Sequence, residues 1–137
     1  MNTLAVESSA IAAGAAVIGD GVLKSEAFAM NGLTHSQTLM VLIDEAIKFA
    51  GLEIGDIDRF AVSTGPGSFT GLRIGVGTVK GLALATEKPA AGISSLLGLA
   101  YNVSSYSGII CPIMDARRGE VYNALYFSQN GMITEIT

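Results

Sequence analysis

Val62-Ser63-Thr64-Gly65-Pro66-Gly67-Ser68-Phe69-Thr70-Gly71-Leu72-Arg73-Ile74-Gly75-Val76-Gly77-Thr78-Val79-Lys80-Gly81 joins a β-like apolar run to a long helical pattern through a Gly-Pro-Gly turn. Gly65 and Gly67 admit positive φ, and Pro66 presets the turn between them. Ser68 or Thr70 is the natural N-cap, its hydroxyl accepting from the orphan donors of the first turn. Such a turn is a ready anion site, because free N–H groups and the helix dipole point the same way. The nucleotide-binding spacings nevertheless fail. A P-loop requires Gly-Lys-Ser/Thr, which occurs nowhere in the chain, and Gly65, Gly67 and Gly71 do not match Gly-x-Gly-x-x-Gly. The turn is therefore expected to serve close packing rather than phosphate.

At 100° per residue, Gly71, Gly75, Thr78 and Leu82 form one stripe of the following helix, with Ile74, Gly81 and Ala85 beside it. Leu72, Val76, Val79 and Ala83 form a second apolar stripe, and only Arg73 and Lys80 mark a wet edge. A helix apolar on two sides is covered on two sides. Each interior glycine costs about 1 kcal/mol relative to alanine, so the glycines at 71, 75, 77 and 81 need a compensating close contact. From the pattern alone that contact is either a neighbouring helix of the same domain or a helix of another chain.

The chain has 137 residues, enough for one ordinary domain to bury about 68% of its unfolded surface. Half the residues are hydrophobic and 15% are charged, which excludes intrinsic disorder. Positive mean hydropathy suggests an apolar patch that meets a partner. The longest uncharged stretch, Pro89 to Met114, is broken by Asn102, Pro112 and several Gly and Ser, and so does not read as a membrane span. No signal peptide is evident, since Glu7 interrupts the first apolar run. The single Cys111 sits in an apolar run and reads as a buried thiol in a reducing compartment. Net charge is −4, which argues against unaided nucleic-acid binding. The expected location is cytoplasmic.

In chain order, Thr3–Ser8, Ala12–Ile18 and Val22–Ala29 read as a three-stranded antiparallel meander, with Gly19-Asp20-Gly21 as a tight turn. Thr34 opens a helix, Gln37 completes a capping box, and Gly51 ends it. Leu39, Leu42, Ile43, Ala46, Ile47 and Ala50 form its buried stripe, while Val41 lies off that stripe. A strand (Arg59–Ser63), the glycine-marked helix to Thr86, a short buried strand (Pro89–Ile93) and a brief helix to Tyr101 follow. This α/β order matches one lobe of the ribonuclease H-like or actin-like fold, a mixed sheet with two packed helices. Tyr106–Met114 and Glu120–Phe127, joined by Asp115-Ala116-Arg117-Arg118-Gly119, read as two strands of a second meander, with Asn130-Gly131 as its next turn. Residues 1–104 are thus expected to form a first lobe and 105–137 the start of a second, incomplete lobe.

These residues resemble the TsaB (YeaZ) family of the bacterial threonylcarbamoyladenosine tRNA-modification machinery. The resemblance is carried by Leu4-Ala5-Val6-Glu7-Ser8-Ser9, by His35-Ser36-Gln37 with Leu42-Ile43-Asp44-Glu45, and by Gly65 through Gly75. Gly81-Leu82-Ala83, Ser94-Ser95-Leu96 and Asp115 through Tyr122 extend it over almost the whole chain. Family members usually carry Asp where Glu7 stands, and they usually continue through a complete second lobe. The resemblance implies an actin-like fold and a non-catalytic role, without metal or cofactor. The chain would dock on a metal-bearing catalytic paralogue of the TsaD type, which transfers threonylcarbamoyl to adenosine of tRNA. A TsaE-type ATPase would join, and tRNA would be reached only through the complex. It further implies a homodimer through the two main helices. Intermolecular packing thereby becomes the preferred reading of the glycine stripe, with Val41, Gly71, Ile74, Gly75, Thr78, Gly81 and Leu82 as interface residues. Gly75→Leu is then expected to keep or raise the melting temperature while abolishing association.

Other chemistry is weighed beside this. The chain has one histidine, His35, and neither a second His nor a Cys pair, so a metal site is not expected and His35 reads as a surface residue near the helix cap. Glu7 stands where actin-like kinases hold a catalytic or Mg²⁺-positioning Asp. A vestigial nucleotide or anion loop of Glu7, Ser8, Gly65, Gly67, Ser68 and Thr70 is the alternative, and with it an actin-like small-molecule kinase or nucleotide hydrolase. Asp115, Arg117, Arg118 and Glu120 form a charged hairpin, which is either a solvated turn or a polar contact with a partner. No peptidase activity, no retained metal and poor tRNA binding by the isolated chain are expected.

Overall fold

The computed structural model describes residues 1–30 and 34–137. Asn2–Glu7 (β1), Ala13–Gly19 (β2) and Val22–Ala29 (β3) form the expected antiparallel meander, turning at Asp20-Gly21. His35–Phe49 (α1) crosses to Arg59–Gly65 (β4), which pairs parallel with β1, Leu4 lying opposite Phe60 and Val6 opposite Val62. Phe69–Thr86 (α2) then crosses to Ala90–Ser94 (β5), parallel to β4. The five-stranded order is β3-β2-β1-β4-β5.

Strand alternation decides which face the helices cover. Leu4, Val6, Ala13, Ala15, Val17, Phe60 and Val62 all point to one face and are buried there. α1 lies over β2 and β3, and α2 lies over β4. From α1 come Leu39, Leu42, Ile43, Ala46 and Ile47 of the stripe read from its period, with Ala50 only partly buried at its end, and α2 adds Val79. The α1 cap forms as its sequence requires: Thr34 N–H donates to Gln37 Oε1 at 3.2 Å, and Gly51 follows the helix with φ 72°. The opposite sheet face carries small side chains, among them Ala5, Ala16 and Ala61, and holds an open groove of about 240 Å³.

Ser95–Tyr101 (α3), capped by Ser94, leads to Gly108–Ile110 (β6), Ile113–Arg117 (β7), Glu120–Asn123 (β8), Tyr126–Gln129 (β9) and Met132–Glu135 (β10). Two long strands were expected here and four short ones are found. Pro112 lacks an N–H and separates β6 from β7. Leu125 separates β8 from β9 because it bonds to the end of the chain, its N–H to Thr137 O at 3.1 Å and its carbonyl accepting from Ile136 N–H at 2.7 Å. As a result β10-β9-β6 form one sheet and β7-β8 a separate hairpin. Leu96, Ala100, Ile110, Tyr126 and Ile133 make a second buried cluster, to which α3 belongs by packing.

Two burial expectations are corrected. β5 is largely exposed rather than buried, because it is the edge strand and the sheet face behind it is open. Cys111 is exposed rather than buried, since the break at Pro112 takes it out of the strand.

Candidate functional site

β1 delivers Glu7 and Ser8 to the rim of the sheet, and the 65–68 turn comes down on the same spot. Ser8 is fully buried and its Oγ donates to the Gly71 carbonyl at 2.7 Å. Ser9 O accepts from Ser68 N–H at 2.7 Å, and Ser68 Oγ accepts from Gly71 N–H at 3.2 Å as the α2 N-cap. Glu7 spreads its carboxylate over two neighbours, Oε1 accepting from Ser9 N–H at 2.5 Å and Oε2 from the Ser63 hydroxyl. His35 reaches the same corner from α1, where Nε2–H donates to Ala10 O at 2.7 Å.

The glycines make this approach possible. A Cβ on Gly67 would collide with Ser9, one on Gly71 with the Ser8 carbonyl oxygen, and one on Gly75 with the Ser8 hydroxyl. Gly71 and Gly75 are buried, with the Gly71 position also 3.0 Å from the His35 ring and the Gly75 position 3.6 Å from Val62. This corrects the assignment of Gly71 and Gly75 to a partner interface: they face Ser8, just past β1, in their own domain. It also reverses the expectation for Gly75→Leu, which must now displace Ser8.

The residues grouped as an anion loop are only partly brought together. Glu7, Ser8, Gly67 and Ser68 meet around Ser9. Gly65 instead continues β4, in register with Ser94, and Thr70 faces outward. The N–H groups of Ser9, Ser68 and Gly71 are each taken by an acceptor of the chain itself. The corner is thus a satisfied joint between β1 and α2. Among the described residues, no group of three His, Cys, Asp or Glu side chains could hold a metal ion.

The outward side of α2 carries what the reading missed. Phe69 is 74% exposed and Leu84 82% exposed, and Arg73 sits over the Phe69 ring with its guanidinium carbon 5.4 Å from the centroid. Gly77 and Gly81 are exposed, and a Cβ on either would meet nothing within 4 Å. Ile74, Thr78 and Leu82 are half-buried along the border, and Thr70, Arg73 and Ile74 line a shallow concavity. On α1, Met40 and Val41 are exposed. A signal was available: Gly77 and Leu84 lie one turn beyond the wet-edge residues Arg73 and Lys80. α1 is acidic on its exposed side, where Asp44 pairs with Lys48 at 2.7 Å and raises the lysine pKa through that hydrogen bond. In the second region, Asp115, Arg117, Arg118 and Glu120 do meet at the β7–β8 hairpin, all exposed.

The model of the family described as TsaD, tRNA N6-adenosine threonylcarbamoyltransferase, matches residues 30–136. A Bacillus subtilis relative, "tRNA threonylcarbamoyladenosine biosynthesis protein TsaB", is 35% identical over 99% of this chain and 59% of its own length. The Escherichia coli protein of the same description is 35% identical over 92% of this chain and 55% of its own. YeaZ from Pseudomonas aeruginosa superposes with a TM-score of 0.90 at 30% identity, over 99% of this chain and 64% of that one. The chain therefore spans somewhat more than half the length of these two curated relatives. Blocks that span almost the whole chain, an actin-like ATPase-type fold and these likenesses agree: the chain belongs to the tRNA N6-adenosine threonylcarbamoyltransferase (TsaD) family, on its TsaB (YeaZ) branch.

Proposed function

We propose that this chain is a non-catalytic subunit of the machinery that installs threonylcarbamoyl on adenosine of tRNA, docking on a TsaD-type catalytic paralogue through the outward faces of α1 and α2. The observation that carries the reading is the outer side of α2. Exposed Phe69 and Leu84 flank two glycines with open space above them, and Met40 and Val41 of α1 are exposed as well. Open glycines on an apolar helix face let another backbone approach closely, and exposed aromatic and Arg side chains are the usual anchors of interfaces. Val41, Ile74, Thr78, Gly81 and Leu82 remain proposed interface residues, joined by Phe69, Gly77 and Leu84. The same face also suits a homodimer, because Glu45 on α1 of one copy can oppose Arg73 or Lys80 of another. A TsaE-type ATPase joins the assembly in this reading, in the cytoplasm, and tRNA is met only through it. Residues 1–104 form the first lobe in this reading and 105–137 open the second, with α3 packing across onto the second buried cluster.

Co-purification with the catalytic paralogue, followed by a threonylcarbamoylation assay, tests the proposal. Product formation should require both chains. Activity of the paralogue unaffected by this chain, or no association between them, would overturn it. The alternative of a small-molecule kinase or nucleotide hydrolase predicts nucleotide binding by the isolated chain, and calorimetric titration with ATP and Mg²⁺ separates the two. The internal bonding of the Ser9 and Ser68 amides favours the first.

A further inference from the structure

Three tight hairpin turns of this chain use the same backbone solution. Asp20-Gly21 has φ values of 51° and 79°, Asn130-Gly131 of 54° and 77°, and Arg118-Gly119 of 55° and 74°. Left-handed backbone at the first turn position is what Asp and Asn tolerate best, because their short side chains bond locally. The third turn places arginine there instead. Arg117, which precedes it at a register shift in the hairpin, is left-handed as well, with φ 66°. Two successive arginines thus hold a conformation that their side chains do nothing to favour.

The surroundings support the turn and leave the charges free. Asp115 spends its carboxylate on the backbone, Oδ1 accepting from Arg117 N–H at 2.7 Å. Glu120 stands opposite Arg117 in register, yet among the described residues the only ion pairs are Met1–Asp20 and Lys48–Asp44. Both arginines are exposed, and the hairpin that carries them is hydrogen-bonded to neither of the two larger sheets.

Resting on the function proposed above, we propose that Arg117 and Arg118 are a phosphate-contacting finger, holding the tRNA backbone in the assembled complex. A guanidinium fork matches phosphate oxygens in a bidentate manner. Two adjacent cations suit a strand with one charge per nucleotide, whereas a single protein carboxylate would neutralise only one of them. Asp115 and Glu120 balance the two arginines within the hairpin and the chain's net charge is −4, so the finger contributes within the complex and not in the isolated subunit.

The test is filter binding of tRNA to the complex with the catalytic paralogue, measured between 50 and 200 mM salt. The double variant Arg117→Asn/Arg118→Asn removes both charges and installs the residue type that the Asn130 turn already uses, so the hairpin is kept. Its plot of log affinity against log salt should be shallower by roughly 1.4 to 1.8, two phosphate contacts' worth, so that the wild-type advantage shrinks about tenfold between 50 and 200 mM. Arg117→Lys/Arg118→Lys should retain the wild-type slope. A wild-type slope in the asparagine variant overturns the proposal alone. Loss of the asparagine variant's association with the paralogue overturns it in favour of a protein contact. A wild-type chain that never associates with the paralogue overturns both readings.

Discussion

The two sides of α2 use glycine for opposite ends. On the inner side, Gly71 and Gly75 are filled space, where the missing Cβ atoms are occupied by the backbone and hydroxyl of Ser8. On the outer side, Gly77 and Gly81 face open space. All four carry the same propensity cost of about 1 kcal/mol, but only the inner pair recovers it within the domain. Residue type alone therefore does not reveal what a glycine is for. What lies beyond its Cα does.

The comparison breaks most sharply at Gly75→Leu. A leucine there drives into Ser8 and Val62, so we expect a loss of about 3 kcal/mol or more, read as a melting temperature lower by about 10 °C. A melt at or above wild type would mean that the inner face is not packed as described. Gly81→Leu should have the opposite signature. The monomer gains up to about 1 kcal/mol of helix propensity, while association with the paralogue weakens by about 2 kcal/mol, a bulky side chain now standing in the contact. Sedimentation and a thermal melt of the same sample check both halves, and unchanged association would remove Gly81 from the interface.

Ser8→Ala sharpens the inner side. It deletes the buried hydrogen bond to Gly71 O but keeps the backbone contact, so a cost of about 1 kcal/mol in urea unfolding is expected. Arg73→Ala is the smallest change for the fold. The exposed stack on Phe69 is worth about 0.5 kcal/mol, and its loss should scarcely move the unfolding midpoint. Association with the paralogue, measured by calorimetry, should weaken nonetheless if this end of α2 is an anchor.

Much of the fold was legible along the chain. Val22–Ala29 is a strand with the expected bounds, and Thr34 and Gln37 cap α1. Leu39, Leu42, Ile43, Ala46 and Ile47 are buried as their period required. Signals of this kind act over a few residues, and nothing elsewhere in the molecule needs to be known to read them. The candidate site was half legible. Its turn, its N-cap and its glycine-rich helix could be named, and Val41 was placed outside the buried stripe, where it is exposed.

Sequence by itself thus determined the order of the main elements up to Tyr101, the α1 cap, and the family blocks from Leu4 to Tyr122. Only the tertiary structure decided which side of α2 faces inward. The helix is apolar on both sides, so its period has no preferred phase, and the contact that sets it joins Ser8 to Gly71 across 63 residues. The same holds for Cys111 and β5, whose apolar neighbours suggested burial. Both are exposed because burial depends on what packs opposite, which local composition does not encode.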